Sequence, residues 1–197
     1  MTLRLNGSNS GFTEVKAPAT AGSNTITLPT SNGSANQYLK NGSTAGALEF
    51  GTLPADQGPA FRATLSATQN FTASTNVKVD FDTETFDTDS DYDHTTNQRF
   101  TPSKAGYYQV SINLFSNWSG SQYSYWSTML FKNGSEYSSA KKHVTSTGGA
   151  YGTVILADTV YMNGTSDYIE AYVNSDAGSP KVSASTRTWF TAHWVHS

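Results

Sequence analysis

The chain has 197 residues and a formal net charge of −3, from 12 basic and 15 acidic residues, which provides no positive field to attract nucleic acid or anionic lipid. The absence of cysteine excludes disulfide frameworks and thiolate metal sites. Aromatic residues make up 13% of the chain and Ser, Thr, Asn and Gly are abundant, a composition that favours strands and turns.

The N-terminal sequence, MTLRLNGSNSG, lacks the apolar stretch of a signal peptide, and no later window approaches the length of a membrane span. We therefore expect synthesis in the cytoplasm and no membrane insertion.

Residues 1–57 contain few aromatic side chains and cannot bury a core of their own. Asn-Gly dipeptides, which favour tight hairpin turns, separate short β signals in this segment. The sequence predicts an extended arm of short hairpins that needs a partner surface, with strands at Leu3–Leu5, Phe12–Val15, Thr25–Leu28 and Tyr38–Leu39.

A stretch with two prolines and a glycine, residues 53–59, tolerates neither helix nor central strand and marks a boundary. Beyond it, residues 58–197 show repeated period-two patterns and no convincing helical period. Many short strands predict an all-β sandwich, barrel or jelly roll. The candidate strands are Phe61–Leu65, Val77–Phe81, Tyr108–Leu114, Ser127–Phe131, Thr153–Val160, Tyr168–Val173 and Thr188–Val195.

The segment FDTDSDYD at residues 86–93, followed by RFTP at 99–102 and GYYQV at 106–110, resembles the central signature of the C1q-like family. The opening AFRA, the FKNG hairpin and the closing WFTAHW occur in that family's order. The resemblance covers roughly residues 59–197, with a slightly longer interval between Tyr92 and Phe100.

Membership would imply a ten-stranded C1q/TNF-like jelly roll that assembles as a homotrimer. The residues themselves agree, since Tyr108, Val110 and Ile112 share one face of a strand that begins at a glycine. The motif and core positions implied by the resemblance are Phe86, Tyr92, Phe100, Gly106, Tyr108, Val110, Trp189 and Trp194.

The arm carries a second resemblance. The segments LRLNGS at 3–8, APATAGSNTITLP at 17–29 and GALEFG at 46–51 are similar to segments of marine phage structural proteins, particularly cyanophage ones. This resemblance implies that residues 1–57 dock on other virion proteins and that the mature protein resides in the virion, after synthesis in the host bacterial cytoplasm.

Seven acidic residues lie between positions 80 and 93, which suggests calcium binding. The spacing of Asp87, Asp89 and Asp91 fits the start of an EF-hand loop, but Tyr92 replaces the required glycine and Gln98 the bidentate glutamate. An EF-hand is excluded. A loop-built calcium site and a hydrated turn remain alternatives.

The segment 117–126 sets aromatic rings among small polar residues, as sugar-binding surfaces do. It is the candidate ligand surface, for a host cell-surface glycan. The alternative is that some of these rings fill the core or a subunit interface. The four candidates are Trp118, Tyr123, Tyr125 and Trp126.

No catalytic residue, cofactor site or metal site is predicted. The four histidines are scattered, and neither a G-x-S-x-G motif nor a phosphate-binding glycine loop occurs. We therefore expect a binding and assembly protein and not an enzyme.

Four functions are consistent with these features. The first is a trimeric phage fibre or tip that is anchored by its arm and contacts a host receptor, and the second is a capsid decoration or head-fibre protein that stabilises the shell. A soluble lectin-like C1q relative and a polysaccharide-degrading fibre enzyme are weaker alternatives.

Overall fold

A computed structural model describes residues 3–6, 8–20, 22–52, 58–117, 124–143 and 151–197. The chain forms two compact units, Met1–Asp56 and Gln57–Ser197, which we call the arm and the head. The regular elements of the described residues are all β-strands. Nowhere in these ranges is there a helix long and apolar enough to cross a bilayer.

The described residues of the arm form two antiparallel hairpins, β1–β2 and β3–β4. Their strands are β1 (Leu3–Asn6), β2 (Phe12–Val15), β3 (Gln37–Asn41) and β4 (Leu48–Thr52). The strand predicted at Thr25–Leu28 is reduced to a single parallel bridge, in which Thr27 pairs with Ala47.

The described residues of the head form thirteen strands between Ala60 and His196. They are β5 (Ala60–Thr64), β6 (Gln69–Asn70), β7 (Val77–Lys78), β8 (Thr83–Asp87), β9 (Tyr92–Asp93), β10 (Arg99–Phe100), β11 (Ala105–Asn117), β12 (Tyr125–Lys132), β13 (Ser135–His143), β14 (Tyr151–Asn163), β15 (Ile169–Ser175), β16 (Lys181–Val182) and β17 (Trp189–His196).

Two main sheets form the head. One has the order β13-β12-β15-β10-β9, with β7 also paired to β15, and the other has the order β14-β11-β17-β5-β8. A small additional sheet pairs β6 with β16. Most neighbouring strands are distant in the sequence, so the chain crosses repeatedly between the two sheets. The head is therefore a sandwich of two packed sheets and not a simple meander.

The hydrophobic core lies between the two main sheets. Alternate residues of the 13-residue strand β11 point into it, namely Tyr108, Val110, Ile112 and Leu114. Phe61 of β5 stacks on Tyr92 of the opposite sheet, with ring centroids 4.4 Å apart. Phe100 also stacks on Phe61, at 4.6 Å, so an aromatic cluster joins the two layers.

Two of the motif positions pack together at one edge of this core. Trp194 lies against Gly106, where a Cβ atom would lie 2.5 Å from the carbonyl oxygen of His196 and still closer to the Trp194 indole nitrogen. Gly106 also has a φ of +145°, which disfavours any other residue. Trp189, on the same strand as Trp194, is half-buried.

Phe86 corrects one expectation. It was predicted to be a core residue, but its side chain is 45% exposed. Phe86 pairs with Arg62 across β8 and β5, whereas the neighbouring positions Phe61 and Ala63 point inward. Strand alternation therefore places the Phe86 ring on the outer face of the sheet.

Candidate functional site

The predicted aromatic ligand surface is divided between the two faces of β12. Tyr125 is half-buried on the outer face, whereas Trp126 is only 1% exposed and packs edge-on against Phe71 in the core. Trp126 cannot present its ring to a ligand, and the prediction for this residue is corrected. Trp118 and Tyr123 lie outside the described residues.

Tyr125 is held by polar neighbours on adjacent strands. Its hydroxyl donates a hydrogen bond of 2.9 Å to Asn174 Oδ1 on β15. The Lys141 ammonium on β13 lies 4.1 Å from the centroid of the Tyr125 ring, in a cation–π arrangement. Among the predicted surface residues that the structure describes, Tyr125 is therefore the one that has polar neighbours and contact with solvent.

Two of the three carboxylates with EF-hand-like spacing accept hydrogen bonds from nearby loops. Asp87 accepts a 2.7 Å hydrogen bond from the Tyr92 backbone N–H. Asp91 accepts bonds of 2.8 and 3.0 Å from the backbone N–H and hydroxyl of Ser103. Asp89 is exposed and its backbone N–H donates to Asp87. These carboxylate oxygens therefore stabilise the loops that precede β9 and β11.

Asp93 and Asp82 have the same kind of role. Asp93 accepts backbone hydrogen bonds from Thr96 and Asn97 at 2.9 and 3.1 Å, and the bond from Thr96 is the main cause that lowers the pKa of this carboxyl. Asp82 accepts hydrogen bonds from Ser66. Across the part of the chain that the structure describes, no three His, Asp or Glu side chains are grouped closely enough to hold a metal ion.

The most distinctive surface of the head lies on the outer face of the β11–β14 ladder. The two strands pair over their full length from Ala105–Asn163 to Asn117–Tyr151. The outward positions alternate with the core positions and carry no charged residue. Two of them, Asn113 and Phe115, are buried, and the Arg187 guanidinium lies 3.8 Å from the centroid of the Phe115 ring. We call this surface the uncharged ladder; it consists of Tyr107, Gln109, Ser111, Asn113 and Phe115 on β11 and Thr153, Ile155, Ala157, Thr159 and Tyr161 on β14.

Large apolar side chains on the uncharged ladder are open to solvent. Tyr107 and Tyr161 are 42% and 48% exposed, and Ile155 is exposed as well. The Tyr107 ring meets Tyr161 edge-on, with centroids 5.4 Å apart, and lies 5.0 Å from the His196 ring. Exposed aromatic and aliphatic side chains without interspersed charge are typical of protein–protein interfaces.

The arm also leaves apolar side chains uncovered. In the first hairpin, Leu3 pairs with Val15 and both are exposed on one face, together with Leu5. The opposite face is occupied by the Arg4 guanidinium, which lies 3.5 Å from the centroid of the Phe12 ring. The hairpin therefore has one face of exposed aliphatic side chains and one face on which charged residues surround the exposed Phe12 ring.

The second hairpin repeats this arrangement. Leu39 pairs with Phe50 and both are exposed, whereas Lys40 and Glu49 form an ion pair of 3.0 Å on the other face. Among the described arm residues only Gly51 is buried, so these residues form no hydrophobic core.

A sequence repeat underlies the two hairpins and was missed by the sequence reasoning. The pattern N-G-S-x-x-G-x-x-E occurs at 6–14 and again at 41–49. Its second glycine has nearly the same backbone conformation in both copies, with φ of +80° at Gly11 and +81° at Gly46. A comparison of the sequence with itself would have revealed this repeat.

No protein-family model matches the sequence, and no curated protein sequence matches it either. Solved structures do show similarity in fold. Murine APRIL at pH 5.0 superposes with a TM-score of 0.54 at 7% identity, covering 70% of this chain and 99% of that one. Eiger TNF from S. frugiperda has a TM-score of 0.50 at 10% identity, covering 70% of this chain and 91% of that one.

These identities are low, so the likeness concerns the fold alone. The predicted all-β jelly-roll sandwich of the C1q/TNF type is confirmed, both by the two packed sheets of the head and by its TNF-like structural neighbours.

Proposed function

We propose that this protein is a bacteriophage virion structural protein, a homotrimer that is anchored to the particle by its arm and attaches to a host cell-surface glycan through its head. The observation that carries the assembly part of this proposal is the uncharged ladder. The head is a jelly roll with a complete core, yet it exposes Tyr107, Ile155 and Tyr161 together on one sheet face.

A neighbouring subunit is the occupant that best fits this face. The ladder residues themselves carry no charge, and the Arg187 guanidinium packs over the ring of Phe115 toward one end of the face, 3.8 Å from its centroid. At the exposed end, around Tyr107 and Tyr161, two copies can therefore approach without repulsion between ladder residues. Closed point-group assembly would cover the face in every subunit at once. A trimer is the form that the resemblance to C1q-like proteins implies.

The arm supports a docking role. Its two hairpins expose apolar side chains on one face each and have no core to stabilise them. Such strands gain stability when their apolar faces and free edges meet another protein. Together with the resemblance to phage structural segments, this favours attachment to other virion proteins and residence in the virion.

Light scattering on the purified full-length chain tests the assembly. We expect a mass near three times the chain mass of 21.2 kDa at micromolar concentration. A stable monomer would contradict the proposed assembly.

Virion incorporation tests the docking role of the arm. A variant that lacks residues 1–57 retains the whole core of the head, which lies between Phe61 and Ala192, and we expect it to fold and assemble but not to enter particles. Normal incorporation of this variant would exclude docking through the arm. Density for the protein on the shell, and not at a fibre tip, would assign it to capsid decoration.

A further inference from the structure

A small polar pocket lies on the outer face of the other sheet, away from the uncharged ladder. It has a volume of about 150 Å³ and lies between β12, β13 and β15, room for about five water molecules. Its lining includes Ser127 and Met129 of β12, which are 4% and 3% exposed. Both residues share the outer face of β12 with Tyr125, two positions earlier.

The Ser127 side chain faces the pocket and its hydroxyl remains open to hydration. The residue is only 4% exposed, and no hydrogen bond within the described ranges involves its hydroxyl. That oxygen is nevertheless not one of the enclosed polar atoms without a partner, which in these ranges are Asn113 Oδ1 and Trp126 Nε1, so water can reach it from the pocket. The pocket is the side from which a ligand can supply a hydrogen-bond partner.

The wall of the pocket is fixed by a chain of hydrogen bonds. The Tyr125 hydroxyl donates to Asn174 Oδ1 at 2.9 Å, and Asn174 Nδ2 donates to Asn76 Oδ1 at 2.5 Å. This chain leaves the lone pairs of the Tyr125 oxygen as acceptors and the Asn76 amide hydrogens as donors. The pocket thus offers both donors and acceptors that are already positioned.

The charges at the rim balance each other. Glu136 and Lys141, both on β13, line the pocket and are exposed, so the rim has no net charge that would select an anion or a cation. A neutral ligand with adjacent groups that each donate and accept hydrogen bonds can pair with the donors and acceptors of the pocket wall and with the Ser127 hydroxyl. The thioether of Met129 can contact the C–H groups of such a ligand.

From this geometry we propose that the pocket binds one neutral sugar residue, with Ser127, Tyr125, Asn174 and Asn76 as its hydrogen-bonding partners. A pyranose ring has the required adjacent hydroxyls and an apolar C–H face. Sugar binding by the pocket does not depend on the proposed attachment function. The source of the sugar does, and we take it to be a terminal residue of a cell-surface glycan. Since the pocket and the uncharged ladder belong to opposite sheets, trimer assembly would leave three pockets available per particle tip.

The test is titration of the full-length protein with glucose, galactose, mannose and N-acetylglucosamine, followed by saturation-transfer NMR and by amide shifts. We expect at least one of these sugars to bind with a millimolar Kd. Ser127→Ala and Tyr125→Phe should each weaken that binding roughly three- to tenfold, because each removes one hydrogen bond. Tyr137→Phe is the matched control, since Tyr137 donates to the Thr159 carbonyl outside the pocket.

Thermal unfolding separates a ligand role from a structural one. Because the Ser127 hydroxyl has no partner within the described residues, Ser127→Ala should keep or raise the Tm while it lowers sugar affinity. A lower Tm with unchanged affinity would assign Ser127 to the fold and overturn the proposal. Failure of all four sugars to bind at 50 mM to a folded protein would overturn it as well.

Adsorption to host cells then distinguishes the two proposals. Loss of adsorption in Ser127→Ala, with normal incorporation into particles, would support both the pocket and the attachment function. Sugar binding without any effect of Ser127→Ala on adsorption would support the pocket and contradict the glycan attachment role. Absence of sugar binding in a trimer that enters particles would exclude the pocket alone.

Discussion

Tyr107 and Tyr161 face each other across the β11–β14 ladder, with ring centroids 5.4 Å apart and planes inclined by 67°. Both rings are on the side of the sheet that faces away from the core, and both are exposed. This edge-on pair lies at one end of the uncharged ladder, two residues from the terminal Ala105–Asn163 pair, and belongs to the exposed surface on which the proposed assembly depends.

A carboxylate at this pair should prevent assembly. We expect Tyr107→Glu and Tyr161→Glu to convert the trimer to a monomer at micromolar concentration, because a buried, unpaired charge at a subunit interface is strongly unfavourable. Sedimentation velocity measures the change. Thr72→Glu, an exposed position in the loop before β7, is the control and should leave the mass unchanged. Trimers of both tyrosine variants would show that the interface lies elsewhere.

Replacing the core residue Tyr108 with alanine should lower the free energy of unfolding more than the same change at a surface tyrosine. Its side chain is fully buried, contacts Phe100 edge-on and donates a 2.7 Å hydrogen bond to the Lys104 carbonyl. Tyr108→Ala should lower the free energy of unfolding by about 3 to 5 kcal/mol. Urea unfolding at fixed protein concentration measures it, with Tyr137→Ala expected to cost less than about 1 kcal/mol. Equal effects of the two changes would contradict the register of β11.

The close contact between Trp194 and Gly106 leads to a second prediction about stability. Gly106→Ala should destabilise the head by more than about 1 kcal/mol, because the residue has a positive φ and its Cβ would clash with the His196 carbonyl and the indole. Gly178→Ala is the matched control, since a Cβ there meets no atom within 4 Å. Calorimetry that gave the same Tm for both variants would argue against this packing.

Alkaline pH should destabilise the head through Tyr92 and Tyr108. Burial raises the pKa of both phenols above the ordinary value of 10.0, with a smaller contribution from nearby aspartates. Above pH 10 the unfolded chain therefore loses protons that the folded chain retains, so stability decreases as the pH rises. Tm measured from pH 8 to 11 should fall, and the double variant Tyr92→Phe, Tyr108→Phe should fall less. A Tm that stayed constant up to pH 11 would contradict the burial of these phenols.

Calcium should be dispensable for stability. The carboxylates of Asp87 and Asp93 already accept backbone hydrogen bonds from their own turns, and Asp91 accepts one from the backbone of Ser103, which stabilises these loops without a cation. The melting curve should be the same in calcium and in excess chelator. A midpoint that dropped with chelator and recovered with calcium would make these residues the first ligands to test.

The sequence was most informative where local physics decides the structure. The period-two pattern of β11 predicts the buried face formed by Tyr108, Val110 and Ile112, because successive side chains of a strand point to opposite sides. Two prolines and a glycine at 53–59 indicate a break between arm and head for a similar local reason, since proline lacks the backbone donor that a strand requires.

What only the tertiary structure decided is which of two strand faces meets the core and which distant strands become neighbours. Tyr125 and Trp126 are adjacent and both aromatic, so periodicity could not tell that the tryptophan would be buried and the tyrosine exposed to a pocket. Phe86 was misplaced for the same reason. Likewise, Ser127 and Asn174 come together only because β12 pairs with β15, a contact between residues far apart in the sequence that no local pattern encodes.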